Sequence, residues 1–154
     1  MQNEATESTS SKDFLTITIA DQTFGIPVLQ VQDVLREQAV TRIPLAAPEV
    51  AGSLNLRGRI VTAIDVRRRL GLPDRNDDIS SMSVVVEHKN ELFSLIIDHV
   101  GDVLSLEDAD FEKNPGTLEQ AWRDISSGIY QLESNLLVVM DVSALLENIN
   151  HIKK

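Results

Sequence analysis

The feature that most constrains this chain is that it carries one pattern twice. Gly52/Gly128, Leu54/Tyr130, Leu56/Leu132, Ile60/Leu136, Asp65/Asp141, Val66/Val142 and Leu70/Leu146 all stand 76 residues apart. Upstream, Phe24/Phe93, Val31/Val100, Asp33/Asp102, Val34/Val103 and Leu35/Leu104 share an offset of 69. The offset changes where the connecting loop of the second half lengthens. The apolar runs within each half are strand-length and bounded by turn residues. Two short-stranded halves of like pattern suggest two small barrels packed on one another, because closure removes exposed strand edges. Positions alike in both halves serve the shared architecture. Positions that differ are free to specialise, and Arg57-Gly58, which faces Glu133-Ser134 across the repeat, is the clearest of them.

The segment Gly52–Leu70, GSLNLRGRIVTAIDVRRRL, shows the unit best. Leu54 and Leu56 alternate with Ser53 and Asn55, the period of a half-buried strand. Arg57-Gly58 makes a turn, its glycine accepting backbone angles that other residues resist. Ile60–Ile64 is a second strand. Asp65 is placed to cap a short helix, Val66–Leu70, which Gly71 and Pro73 end. The turn offers its arginine to solvent or to a partner.

Elsewhere the chain reads as short elements. Met1–Lys12 lacks apolar periodicity and reads as a disordered tail. Phe14–Ile19 and Thr23–Ile26 read as strands, and Pro27 as the start of a helix, Val28–Leu35, with Val28, Val31, Val34 and Leu35 on one face. Thr41–Pro48 is an irregular connection, and Pro73–Ser81 is a polar loop marking the internal boundary. Ser83–His88 and Leu92–Asp98 form a hairpin around Lys89-Asn90, and Val103–Leu106 is another strand. Glu107–Asp124 reads as a surface loop. Ile125–Leu132 and Leu136–Met140 make a last hairpin before a helix, Val142–Asn148, capped by Asp141. The ordered domain is expected over 13–149, with halves at about 14–72 and 82–147 and tails at 1–12 and 150–154.

A hydrophobic content of 42% is enough for a core, and an aromatic content of 4% makes that core mostly aliphatic. Cysteine is absent, which excludes disulfides and thiolate chemistry. No apolar run approaches the roughly 18 residues of a membrane span and no leader is visible, so the expected location is the cytosol without membrane insertion. A net charge of −10 argues against nucleic-acid binding, which needs a basic footprint. Arginines nevertheless crowd one stretch: Arg57, Arg59, Arg67, Arg68, Arg69 and Arg75. That stretch is either a solvated face or a docking surface for acidic partners.

Catalytic patterns are missing. Gly52 and Gly58 lack the Gly-Lys-Ser/Thr of a phosphate loop. Asp98-His99 has no second histidine nearby, so Asp98 reads as a strand end and His99 as a surface residue. Asp108-Ala109-Asp110 begins like a calcium loop, but Lys113 occupies the place of its sharp-turning glycine. Asp65 and Asp141 are explained as helix caps rather than as an acid–base pair. No cofactor or metal is expected. The Val28/Val31/Val34 stripe is either plain core or one wall of a groove with Arg57 at its lip, a geometry suited to helix-in-groove recognition.

The segment GSLNLRGRIVTAIDVRRRLGL resembles the signature of CheW-type chemotaxis coupling proteins, through its glycine, Asn-Leu-Arg-Gly, aliphatic strand and aspartate. FGIPVLQVQDV and TRIP upstream and LFSLIIDHVGDVLSL downstream fit the same family, so the resemblance runs from about Phe14 to Leu146. It departs at Ser94, usually glycine, and at Glu133-Ser134. The resemblance implies two interlocked five-stranded SH3-like barrels and no catalysis. It implies an adaptor joining the cytoplasmic hairpin tips of chemoreceptors to a CheA-type histidine kinase in membrane-associated arrays. Arg57, Val28 and Val31 would meet the receptor tip, and the kinase's regulatory domain would dock on a face that the resemblance leaves unassigned. The rival reading is a small ligand- or nucleic-acid-binding barrel, against which the acidity and the scarcity of stacking aromatics count.

Overall fold

Ten strands fall into two five-stranded sheets, and each sheet takes strands from both halves of the chain. The computed structural model describes residues 10–76 and 80–147. The strands are β1 (Ser11–Ile19), β2 (Gln22–Pro27), β3 (Val31–Arg36), β4 (Val50–Leu56), β5 (Arg59–Asp65), β6 (Met82–His88), β7 (Glu91–Ile97), β8 (His99–Glu107), β9 (Ser126–Gln131) and β10 (Leu136–Met140). Helices α1 (Val66–Arg69), α2 (Gln120–Arg123) and α3 (Val142–Glu147) are short. One sheet has the order β8-β1-β2-β10-β9 and the other β3-β6-β7-β5-β4. Replacing each strand by its repeat partner turns one order into the other. The halves are therefore interlocked: the leading hairpin of each joins the last three strands of the other.

The registers repeat as well as the order. Val31 pairs with Val86 and Val100 with Ile17, Val34 with Val84 and Val103 with Leu15, each at the same offset. The parallel contacts correspond too, Val61 with Leu92 in one sheet and Leu137 with Thr23 in the other. Gly52 and Gly128 are alike for a steric reason. A Cβ on Gly52 would lie 2.4 Å from the Thr41 carbonyl oxygen, and one on Gly128 would lie 2.6 Å from that of Glu112. Those carbonyls belong to matching isolated bridges, Thr41 to Ser53 and Glu112 to Ile129.

Alternation along the strands divides the apolar residues between two destinations. A large cluster between the sheets takes Ile17, Ile19, Phe24, Ile26, Ile64, Phe93, Leu95 and Ile97. The opposite sheet faces carry smaller clusters: Phe14, Tyr130, Leu137 and Val139 on one, Val61, Val85 and Leu92 on the other. Asp65 accepts a hydrogen bond from the Arg68 N–H at 3.3 Å and Asp141 one from the Ala144 N–H at 3.1 Å, so each carboxylate caps its helix.

Four sequence expectations need correction. Ser11 and Lys12, expected in a disordered tail, open strand β1 and pair with Glu107 and Leu106 of β8. Val28–Leu35 is not a helix but a 3-10 turn, Val28–Gln30, followed by strand β3. Residues Val31–Arg36 alternate half-buried and exposed positions and pair with β6, and that pairing overrides the weak helical spacing of the valines. The strand expected at Val103–Leu106 begins already at His99. Glu107–Asp124 is not merely a surface loop: Leu118 and Trp122 are buried, and the Trp122 ring meets Phe24 edge-on at 5.2 Å. The tail at 1–9, loop residues 77–79, the helix end at Asn148 and the tail at 150–154 lie outside the described residues.

Candidate functional site

Arg57 stands at the tip of the β4–β5 hairpin. Its φ is +52° and that of Gly58 +87°, so both central residues are left-handed, as a two-residue turn matching strand twist requires. The glycine therefore does not carry the strain alone, as the sequence suggests. The Asn55 side-chain oxygen accepts a bond from the Gly58 N–H at 2.9 Å and fixes the turn. The Arg57 side chain remains 75% exposed while its Nη2 lies 2.9 Å from Asp33 Oδ2.

Asp33 lies on β3 at one edge, and β5 is three strand spacings away, about 14 Å if the sheet were flat. The contact ties the β4–β5 hairpin tip to the strand at the far edge of the same sheet. The Arg57 hydrogen bond, and after it the Val34 N–H, hold the Asp33 carboxyl below its usual range. So exposed a pair adds little stability, but it sets the direction of the guanidinium. The repeat equivalents are Asp102 and Glu133, two acids, so the other sheet has no counterpart.

Val28 and Val31 lie on the segment that carries Asp33, in the turn before β3 and at its first residue. Both are half-buried against the large cluster, so they are shared between core and surface. Between them Leu29 is 96% exposed, on a cleft of about 560 Å³ that Lys12, Pro27 and Gln30 help to line. Sequence reasoning missed Leu29, although the repeat held a signal. Its equivalent 69 residues on is Asp98, so an apolar residue replaces a charged one at the same crossover.

Asp98 is more than a strand end. Arg67 donates to both its oxygens, at 2.9 and 2.6 Å, Arg75 Nε donates at 2.9 Å, and so does the Ala20 N–H. Burial pushes this carboxyl up, but the Arg67 bonds, the Ala20 N–H and Arg75 outweigh it and hold the group far below the usual carboxylate range. The β7–β8 crossover is thus tied to α1, to the loop after it and to the β1–β2 turn.

The arginine-rich stretch is neither simply solvated nor a free basic surface. Arg57, Arg67 and Arg75 are paired as described, Arg68 pairs with Asp74 at 3.2 Å, and Arg69 donates to the carbonyls of Ala144 and Leu145 at the end of α3. Of the six, only the Arg59 side chain has no such partner among the described residues. Asp108 pairs with Lys12 at 3.0 Å, and no group of three metal-ligating side chains comes together among the described residues.

A family model described as a CheW-like domain matches residues 13–150. The chemotaxis protein CheW of Klebsiella aerogenes is 28% identical over 140 residues, which cover 91% of this chain and 84% of the relative. That of Bacillus subtilis is 26% identical, covering 92% of this chain and 90% of its own. The crystal structure of scaffolding protein TtCheW from Thermoanaerobacter tengcongensis superposes with a TM-score of 0.81 at 23% identity, covering 94% of this chain and 98% of that one. This likeness extends through both sheets.

Proposed function

The chain belongs to the CheW-like domain family of chemotaxis scaffolds, and on that premise we propose that it is a non-catalytic adaptor coupling the cytoplasmic hairpin tips of chemoreceptors to a CheA-type histidine kinase. It works in the cytoplasm at membrane-associated receptor arrays. Among the described residues no helix is long and apolar enough to cross a membrane. Arg57, Val28 and Val31 meet the receptor tip, and the kinase contributes its regulatory domain.

The observation that carries this reading is the Asp33-oriented Arg57, 75% exposed, with half-buried Val28 and Val31 on the same segment as its Asp33 partner. A helical hairpin presents carbonyls, carboxylates and an apolar stripe, which a guanidinium at the lip of an aliphatic surface complements. One charge-assisted bond is worth about 1.5–3 kcal/mol, or about tenfold or more in affinity. The test is to titrate wild type and Arg57→Glu separately with a receptor-tip fragment and with the kinase's regulatory domain. Receptor affinity should fall at least about tenfold, and kinase affinity less. A folded Arg57→Glu protein with unchanged receptor affinity removes Arg57 from the site.

A further inference from the structure

Only six aromatic side chains occur in the chain, and three of them line one pocket. Phe14, Phe111 and Tyr130, with Pro27 and Val139, wall a space of about 400 Å³ at one end of the first sheet. The rings are mutually packed: Phe14 and Tyr130 lie 5.5 Å apart at 60°, Phe111 and Tyr130 5.6 Å apart at 65°. The repeat does not demand this. At the equivalent positions the other half has Ser83 for Phe14 and Leu54 for Tyr130. Gly128 belongs to the same arrangement, because a Cβ there would lie 2.1 Å from the Phe111 ring.

The pocket also has a polar end. Tyr130 is 2% exposed and lines the pocket, and its hydroxyl keeps contact with solvent rather than being sealed in without a partner. A solvent-contacting hydroxyl in the wall of a pocket can exchange its water for a ligand's polar group. Burial, and then the nearby Asp108 and Asp110 carboxylates, push the phenol's pKa up, so the hydroxyl keeps its proton at neutral pH. At that rim Lys12 and Asp108 neutralise one another at 3.0 Å. Apolar walls with one convergent polar group form the usual plan of a small-molecule site.

We propose that this pocket binds a small, uncharged aromatic molecule carrying one hydroxyl or N–H group, its ring among Phe14, Phe111 and Tyr130 and its polar group on the Tyr130 hydroxyl. The paired rim, with acidic Asp13 and Asp110 in the same region, gives no advantage to an anionic ligand. This site is separate from Arg57, so it stands or falls independently of receptor docking.

The test titrates the full chain with phenol, benzene and benzoate at neutral pH, read by amide chemical shifts. Phenol should bind saturably, with shifts centred on Lys12, Ser127 and Tyr130, and benzoate should bind at least about threefold more weakly. Tyr130→Phe keeps the ring and removes only the hydroxyl. It should weaken phenol about threefold or more while leaving benzene unchanged. Ser127→Leu, which fills the pocket from its more exposed side, should weaken both neutral probes. Shifts scattered over the surface, no saturation with phenol, or a Tyr130→Phe variant that treats phenol as wild type does would each overturn the proposal.

Discussion

Arg57 and the repeat glycines show how differently single residues act here. Arg57 shares its ion pair with solvent, so Arg57→Ala should change folding stability by no more than about 0.5 kcal/mol. Gly52 has no such latitude, since its neighbour within 2.4 Å is backbone that cannot swing aside. Gly52→Ala should therefore cost about 2–4 kcal/mol by denaturant titration. Gly58 meets nothing within 4 Å and suffers only from its φ of +87°, so Gly58→Ala should cost about 1 kcal/mol. Equal losses at Gly52 and Gly58 would contradict the packing explanation. Sequence singles out Gly52, Gly58 and Arg57, because the repeat compares them directly with Gly128, Ser134 and Glu133. It is silent on Asp33 as the partner of Arg57, because that contact joins a hairpin tip to a strand remote from it in the sheet order. Leu29 escaped for a similar reason: an exposed leucine in a turn looks like core until its burial is known.

At the scale of elements, local pattern succeeded where turns and caps fix the outcome and failed where pairing decides. The β4–β5 hairpin and the capped helix after it follow from Arg57-Gly58 and Asp65. Asp141→Ala should cost α3 about 1 kcal/mol, the usual size of a lost cap. β3 was misread because Val28, Val31 and Val34 have a helical spacing, and only a neighbouring strand shows that Val31–Arg36 extends. The β7–β8 crossover was missed altogether, since Arg67 and Arg75 are remote in sequence from Asp98. Its carboxyl titrates lower in the folded chain than in the unfolded one, where about 3.9 is normal. The stabilisation is therefore complete above that value and is lost as pH falls below it toward the folded value. Asp98→Asn should be less stable by about 1–3 kcal/mol at pH 7, and the gap should narrow below about pH 4. A gap that stays constant with pH would mean that the charge on Asp98 does not matter.

At the scale of the molecule, the duplication was the most informative signal in the sequence. It anticipated two like units, and the structure adds that each is built by exchanging a hairpin with the other. Offsets could not show the exchange, because they say which residues correspond and not which strands touch. The exchange also explains why the large cluster lies between the sheets, and so why Val28 and Val31 serve both core and surface. The proposed adaptor function is tested most directly by reconstitution. Receptor-containing membranes and the cognate kinase are combined with and without this protein, and kinase autophosphorylation is followed. The protein alone should turn over no phosphoryl donor, its addition should raise autophosphorylation when receptor is present, and Arg57→Glu should abolish most of the rise. Equal kinase activity with and without the protein, in the presence of receptor, would contradict the adaptor reading.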